Sequence, residues 1–139
     1  MIKRYLGICL IFLVCACNFS KKNPIEHNTT VRENFSEGND IYNDFCIQCH
    51  MANGKGVPKV FPPLAASDYL QSNRVKSIKA IKYGLSGEIE VNGVKYNSAM
   101  APQGLSNKEI ADVMNYITNS WGNKNTLLIT EDEVSKVER

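Results

Sequence analysis

Long apolar runs, internal repeats and a surplus of either charge are all missing from this sequence. Its one extended apolar stretch, Leu6 to Ala16, is too short for a membrane-spanning helix of about 20 residues. Sixteen basic and fourteen acidic residues nearly balance, which leaves no electrostatic footprint for nucleic acid. Histidine is scarce: His27 and His50 are the only two. A chain of 139 residues fits one domain, with length left for targeting and tail segments. A lone domain of that size has a limited core, so a large rigid cofactor packed inside would stabilise it.

What is present begins with a segment that is not part of the fold. Lys3 and Arg4 supply a positive start, and the apolar run after them ends in Val14-Cys15-Ala16-Cys17, followed by polar Asn18, Ser20, Lys21 and Lys22. Charge, apolar run and small residues in that order read as a secretory signal over residues 1–16. Small residues before a cysteine resemble a bacterial lipobox, with Cys17 as the lipidated residue. The alternative is ordinary cleavage near Ala16, which leaves Cys17 as a stray exported thiol and the protein soluble in the periplasm. Removing Lys3 and Arg4 leaves fourteen basic and fourteen acidic residues, a formal charge of zero.

Residues 17–35 are rich in Asn, Lys, Thr, Glu and Ser with no apolar period, and read as a flexible tether. Ser36 then caps a helix to about Cys46 that buries Ile41, Tyr42 and Phe45. Gly38, Tyr42 and Cys46 follow one another at four-residue spacing and so share a face. A loop marked by Gly54, Gly56, Pro58, Pro62 and Pro63 comes next. Ser67 opens a short helical turn with Tyr69 and Leu70, and Asn73 caps a helix through Val75, Ile78 and Ile81 that stops at Gly84. Ile89 to Tyr96 alternates around Asn92-Gly93, a two-residue hairpin signal. Ser106 and Glu109 form a capping box for a last main helix, in which Ile110, Val113, Met114, Ile117 and Trp121 recur at helical spacing before Gly122. Thr130 and Glu133 repeat that pattern before a short charged helix, in a tail over residues 123–139.

The chemistry sits in Cys46-Ile47-Gln48-Cys49-His50. Two cysteines three apart on one helical turn reach the two vinyl groups of a haem, and the adjacent His50 is placed to bind its iron. Attachment needs export, which the signal segment supplies. Three other readings compete. A thioredoxin-like redox pair needs a preceding strand and a βαβ setting, and here a capped helix precedes. A zinc site needs a fourth ligand, and the spare candidates are His27 in the tether and Cys17. A disulfide between Cys46 and Cys49 explains neither His50 nor the loop beyond it.

A sixth ligand follows by elimination among the methionines. Met51 adjoins the proximal histidine and cannot reach the opposite haem face. Met114 lies in the apolar stripe of the last helix, and Met1 is removed. Met100 stands in a loop between the hairpin and that helix, far enough from His50 for the chain to travel round a haem. Lys95, Tyr96 or an open position are the alternatives.

From about Phe35 to Gly122 the chain resembles a class I cytochrome c. The resemblance rests on Gly38 and Tyr42 entering the haem motif, Pro62-Pro63-Leu64, the Met100 loop and the closing helix. It implies an all-α, compact cytochrome c fold over residues 36–122, with a short β-hairpin before the Met loop. One covalently bound haem c, His50/Met100 ligation and one exposed haem edge come with it. One departure is Ala101 after Met100, where many members carry proline. By position in the family, the Pro62 carbonyl accepts the free N–H of His50, with Pro63 the close alternative and a plain loop proline the structural one. Likewise Gly38 and Tyr42 meet Tyr116, and Leu64, Tyr69, Val75 and Ile78 line the haem pocket, although core packing alone would place the same residues there.

Phe61-Pro-Pro-Leu-Ala and the segment from Gly84 to Gly122 further resemble bacterial haem domains that serve respiratory oxidases and nitrite reductases. The function implied is a monomeric carrier with no substrate chemistry of its own, not an enzyme. It passes single electrons between redox proteins such as a quinol-oxidising complex, a terminal oxidase or a nitrite reductase. The expected place is the periplasmic side, with Cys17 lipid in the membrane. A haem enzyme or haem sensor with an open distal site is the alternative. Arg74, Lys76, Lys79 and Lys82 form a basic stretch that reads either as a docking patch or as a solvated helix face. Glu37, Asp40 and Asp44 give the opposite charge elsewhere.

Overall fold

The computed structural model describes residues 35–139. Helix α1 covers residues 35–50 and is not uniform: an α-helical start, a π-type turn over Tyr42–Cys46, and a final turn over Ile47–His50. Residue 35 is already helical, so Ser36 lies within the helix and is not its cap. The wide turn closes with the Ile47 N–H on the Tyr42 carbonyl, five residues back. One extra residue per turn re-phases the helix. Tyr42 therefore faces the protein core, Cys46 lines a cavity, and Phe45 is left 47% exposed instead of buried.

Helix α2 (Asp68–Ser72) is capped by Ser67, whose Oγ accepts the Leu70 N–H at 3.1 Å. Helix α3 (Arg74–Tyr83) starts after Asn73, but Asn73 does not cap it. Its side chain turns back and donates to the Tyr69 carbonyl at 3.2 Å, closing α2. Gly84, at φ 82°, stops α3 where the pattern placed the stop. Strands β1 (Ile89–Val91) and β2 (Val94–Tyr96) pair antiparallel with Val91 opposite Val94, and Asn92 and Gly93 both take positive φ in the tight turn.

Helix α4 (Asn107–Ile117) has both halves of the Ser106/Glu109 capping box. It ends four residues before Trp121, which sits at φ 52° outside the helix. Trp121 keeps its place on the core side because it packs against Tyr42 and Tyr116, at ring-centroid distances of 5.0 and 5.7 Å. Gly38 lets α1 and α4 cross closely: a Cβ there would lie 2.2 Å from the Asp112 carbonyl oxygen and 2.7 Å from Tyr116 Cβ.

The last helix, α5 (Glu131–Ser135), packs on α4 as part of the main core. Ile129, Val134 and Val137 are buried in the same cluster as Tyr42, Ile78, Ile81 and Met114. Thr130 caps α5, but Glu133 leaves the capping box half made and reaches Arg74 instead. Asn115, buried in α4, exchanges two 2.8 Å hydrogen bonds with the Ile129 backbone as a strand partner would. Among the described residues no helix is long and apolar enough to cross a membrane.

Candidate haem site

The end of α1 sets the proximal side. Helix geometry puts Cys46 and Cys49 one turn apart, with His50 next in line, and both thiols are free. Burial, with Cys49 beside it, pushes the Cys46 thiol up to about 11. The chain then turns sharply at Met51, whose φ of 62° and ψ of 156° are rare for a residue with a side chain. Three hydrogen bonds hold it there: Tyr42 Oη donates to its carbonyl at 2.7 Å, its N–H reaches Ile47, and its carbonyl also takes the Gly54 N–H.

The turn carries the following loop back over the histidine. His50 Nδ1 lies 3.0 Å from the Pro62 carbonyl oxygen, so Nδ1 carries the proton and Nε2 keeps a free lone pair. Burial holds the imidazole below its ordinary pKa, against the opposing pull of the Pro62 carbonyl. A neutral ring with one nitrogen pinned is the form that binds a metal. Leu64 and Ala65 are tied to the Gly54 carbonyl at 2.7 and 2.9 Å, and Trp121 Nε1 donates to Ala52 at 3.1 Å.

Beside the imidazole lies an apolar cavity. Cys46 and His50 border it from α1, Pro62, Pro63 and Leu64 from the loop, Tyr69 and Leu70 from α2, and Ser77, Ala80 and Ile81 from α3. Ser67, Leu85, the hairpin's Ile89 and Val91, Met100, and Val113, Met114 and Ile117 of α4 complete it. Met100 is held by a two-way backbone bridge with Leu85, at 2.8 and 2.9 Å. Met114, fully buried on α4, borders the cavity as well as the core.

Two of the residues expected at the pocket stand elsewhere. Val75 points outward and is 56% exposed, while Ile78 is fully buried in the core and does not border the cavity. On α3 the lining face runs through Ser77 and Ile81, one residue out of phase with that expectation. Sequence reasoning also missed Asn123. This buried amide holds the cavity wall by donating to the Leu64 and Ile117 carbonyls at 2.9 and 2.8 Å and accepting the Ala66 N–H at 2.9 Å.

The basic stretch divides. Arg74 forks onto both Glu133 carboxylate oxygens at 2.6 Å and donates to the Leu127 and Leu128 carbonyls. Lys82 Nζ donates to the Val134 and Val137 carbonyls at 2.8 and 3.1 Å. These two cations pin the tail, and Lys76 and Lys79 alone of the four remain for solvent or a partner.

The cavity suits a flat apolar macrocycle bound to iron. Its wall is almost wholly hydrocarbon, a lone pair of imidazole and a thioether sulfur stand at its edge, and two free thiols adjoin the imidazole. The buried Ser77 Oγ has no hydrogen-bond partner among the described residues, as expected where a bound group completes the site. No cluster of three or more His, Cys, Asp or Glu side chains forms among the described residues, and their only sheet is the two-stranded hairpin.

Fold and site together define a helical haem c protein built for electron transfer. The comparisons agree: a sequence model of the family described as Cytochrome c matches residues 35–121. The chain is 40% identical over 111 residues to cytochrome c-552 of Thermus thermophilus, covering 73% of this chain and 84% of that relative. It is 34% identical over 104 residues to the cytochrome c subunit of a quinone alcohol dehydrogenase of Gluconacetobacter polyoxogenes, covering 72% of this chain and 22% of the longer relative. The chain belongs to the cytochrome c family, and its cofactor is covalently attached haem c.

Proposed function

We propose that this protein is a single-haem electron carrier in which Cys46 and Cys49 form the thioethers and His50 and Met100 are the axial ligands. The observation that carries this is the pinned His50, with Nδ1 on the Pro62 carbonyl, facing the same apolar cavity that Met100 enters. Bound haem supplies a one-electron iron couple. The chain's own residues do the rest. Pro62 orients the imidazole and makes it a stronger donor. The Met100 thioether, a soft ligand, favours reduced iron and raises the potential. The hydrocarbon wall keeps water from the iron, so little has to rearrange when an electron moves.

The partners in this reading are redox proteins: a quinone-linked dehydrogenase, a terminal oxidase or a nitrite reductase. The relative that is a subunit of a quinone alcohol dehydrogenase supports the first. The carrier works exported, on the periplasmic side, anchored by lipid on Cys17. That residue, the signal segment 1–16 and nearly all of the tether 17–35 lie outside the described residues. The tail 123–139 folds onto the haem domain 36–122.

Replacing Met100 by Ala in the holoprotein tests the ligand set. Covalent haem stays, the thioether absorption band in the oxidised form is lost, the potential falls and cyanide binds faster. Met114→Ala keeps the band and loses about 2–5 kcal/mol of stability to the cavity it leaves. The assignment fails if the Met114 variant loses the band and the Met100 variant keeps it.

A further inference from the structure

The hairpin ahead of the Met100 loop is tied to the start of α2 by two side chains that serve each other's backbone. Asn92 Oδ1 accepts the Asp68 N–H at 3.0 Å, and Asp68 Oδ1 accepts the Asn92 N–H at 2.7 Å. The same Asp68 oxygen accepts the Tyr69 N–H at 2.6 Å. Both sides of this exchange carry wall of the haem cavity: Tyr69 and Leu70 on α2, Ile89 and Val91 on the hairpin. Met100 follows the end of β2 by four residues. Strands of three residues do not hold themselves together in water, so the hairpin stays in place through the burial of Val91 and Tyr96 and through this exchange.

We propose that Asp68 and Asn92 are positioning residues that form a latch. Closed, it holds the hairpin over the haem and keeps the Met100 loop taut. Its opening is the local event that lets the Met100 thioether leave and a small exogenous ligand enter. Local openings of this kind occur where few buried contacts secure a segment. The turn itself asks only for a residue tolerant of φ 52° at position 92, which glycine meets as well as asparagine. Only asparagine also supplies the acceptor for Asp68, and this separates latch from turn. The proposal rests on Met100 being the iron ligand.

The test uses oxidised holoprotein with imidazole as the entering ligand, beside amide hydrogen exchange over residues 89–96. Asn92→Gly keeps the turn and removes the acceptor. Asp68→Ala removes the other half, and Asp68→Asn retains Oδ1. The first two variants should each speed imidazole binding about three- to tenfold, the scale of one net hydrogen bond. They should also speed hairpin exchange and be non-additive when combined. Asp68→Asn should match the native protein in both measurements. Faster exchange with unchanged imidazole rates shows a hairpin that opens without gating the haem, and overturns the proposal. Unchanged exchange in Asn92→Gly, the variant that keeps the turn whole, overturns it equally. A native spectrum without the thioether band would instead refute the ligand assignment, and is read before any variant is made.

Discussion

Gly56 lies against the Pro62 carbonyl so closely that a Cβ on it would stand 2.6 Å from that oxygen and 2.3 Å from the carbonyl oxygen of Phe61. The Pro62 oxygen is the one that holds His50 Nδ1, and the Gly56 N–H in turn donates to the His50 carbonyl at 3.0 Å. The glycine, at φ 60°, thus sits beside both hydrogen-bonding ends of His50, the proposed iron ligand.

Gly56→Ala must push the Pro62 carbonyl away, because the backbone atoms it meets cannot swing aside as a flexible side chain would. The His50 N–H bond weakens, the ring gives less charge to iron, and the oxidised state loses support. If the oxidised state loses about 0.5–1 kcal/mol more than the reduced state, the potential of this one-electron couple rises by roughly 20–45 mV. Voltammetry of the holoprotein measures it. A potential that stays put or falls shows that the Pro62 contact does not tune the iron.

Much of this arrangement was legible in the sequence because it is local. The Ser67 and Ser106 caps, the Asn92-Gly93 turn and the stop at Gly84 each depend on residues within a few positions, and the chain folds as those residues ask. The reach of long side chains was not legible. Arg74 meets Glu133 across 59 residues, and nothing at either position distinguishes a solvated cation from one that clasps a tail. Asn92 read as a turn former, and its second task with Asp68 shows only once the hairpin stands beside α2. The helical period ran on to Trp121 for a different reason: the residue is on the core side, but it is held by Tyr42 and Tyr116 after the helix has ended. The wide turn in α1 left no trace in the apolar pattern, and Phe45 was placed on the wrong face as a result.

The clasp has an acid limit. Arg74 holds the Glu133 carboxyl below its ordinary 4.5, chiefly through its hydrogen bond, with burial the main opposing effect and the Arg74 charge a smaller aid. A carboxylate with a lowered folded pKa adds stability that is complete above its unfolded value and is lost as pH falls through the folded one. Arg74→Met should therefore cost about 1–3 kcal/mol at about pH 7, a range set by partly exposed, charge-assisted bonds. The gap to the native protein should shrink as pH drops below about 4 and the native clasp protonates. Urea unfolding of both holoproteins across that range measures the gap. A constant difference would assign the loss to the backbone carbonyls of Leu127 and Leu128 and not to Glu133.

The lipid anchor gives the last prediction. Cys17 follows a lipobox-like run, and the polar stretch after it has the composition of a linker. One acyl chain binds a membrane only marginally, and stable anchoring takes more than one, as a bacterial lipoprotein cysteine carries. The lipid proposed for Cys17 would keep the haem close to the membrane surface. Membrane-bound redox complexes then meet it at a raised effective concentration. Cys17→Ser should move the protein from the membrane to the soluble fraction with spectrum and potential unchanged. Electron delivery in cells should slow by more than it does in a soluble assay, since only the encounter has been altered. Fractionation, with mass analysis of the mature N-terminus, decides the matter: a native protein found soluble and unmodified at Cys17 is a freely diffusing carrier.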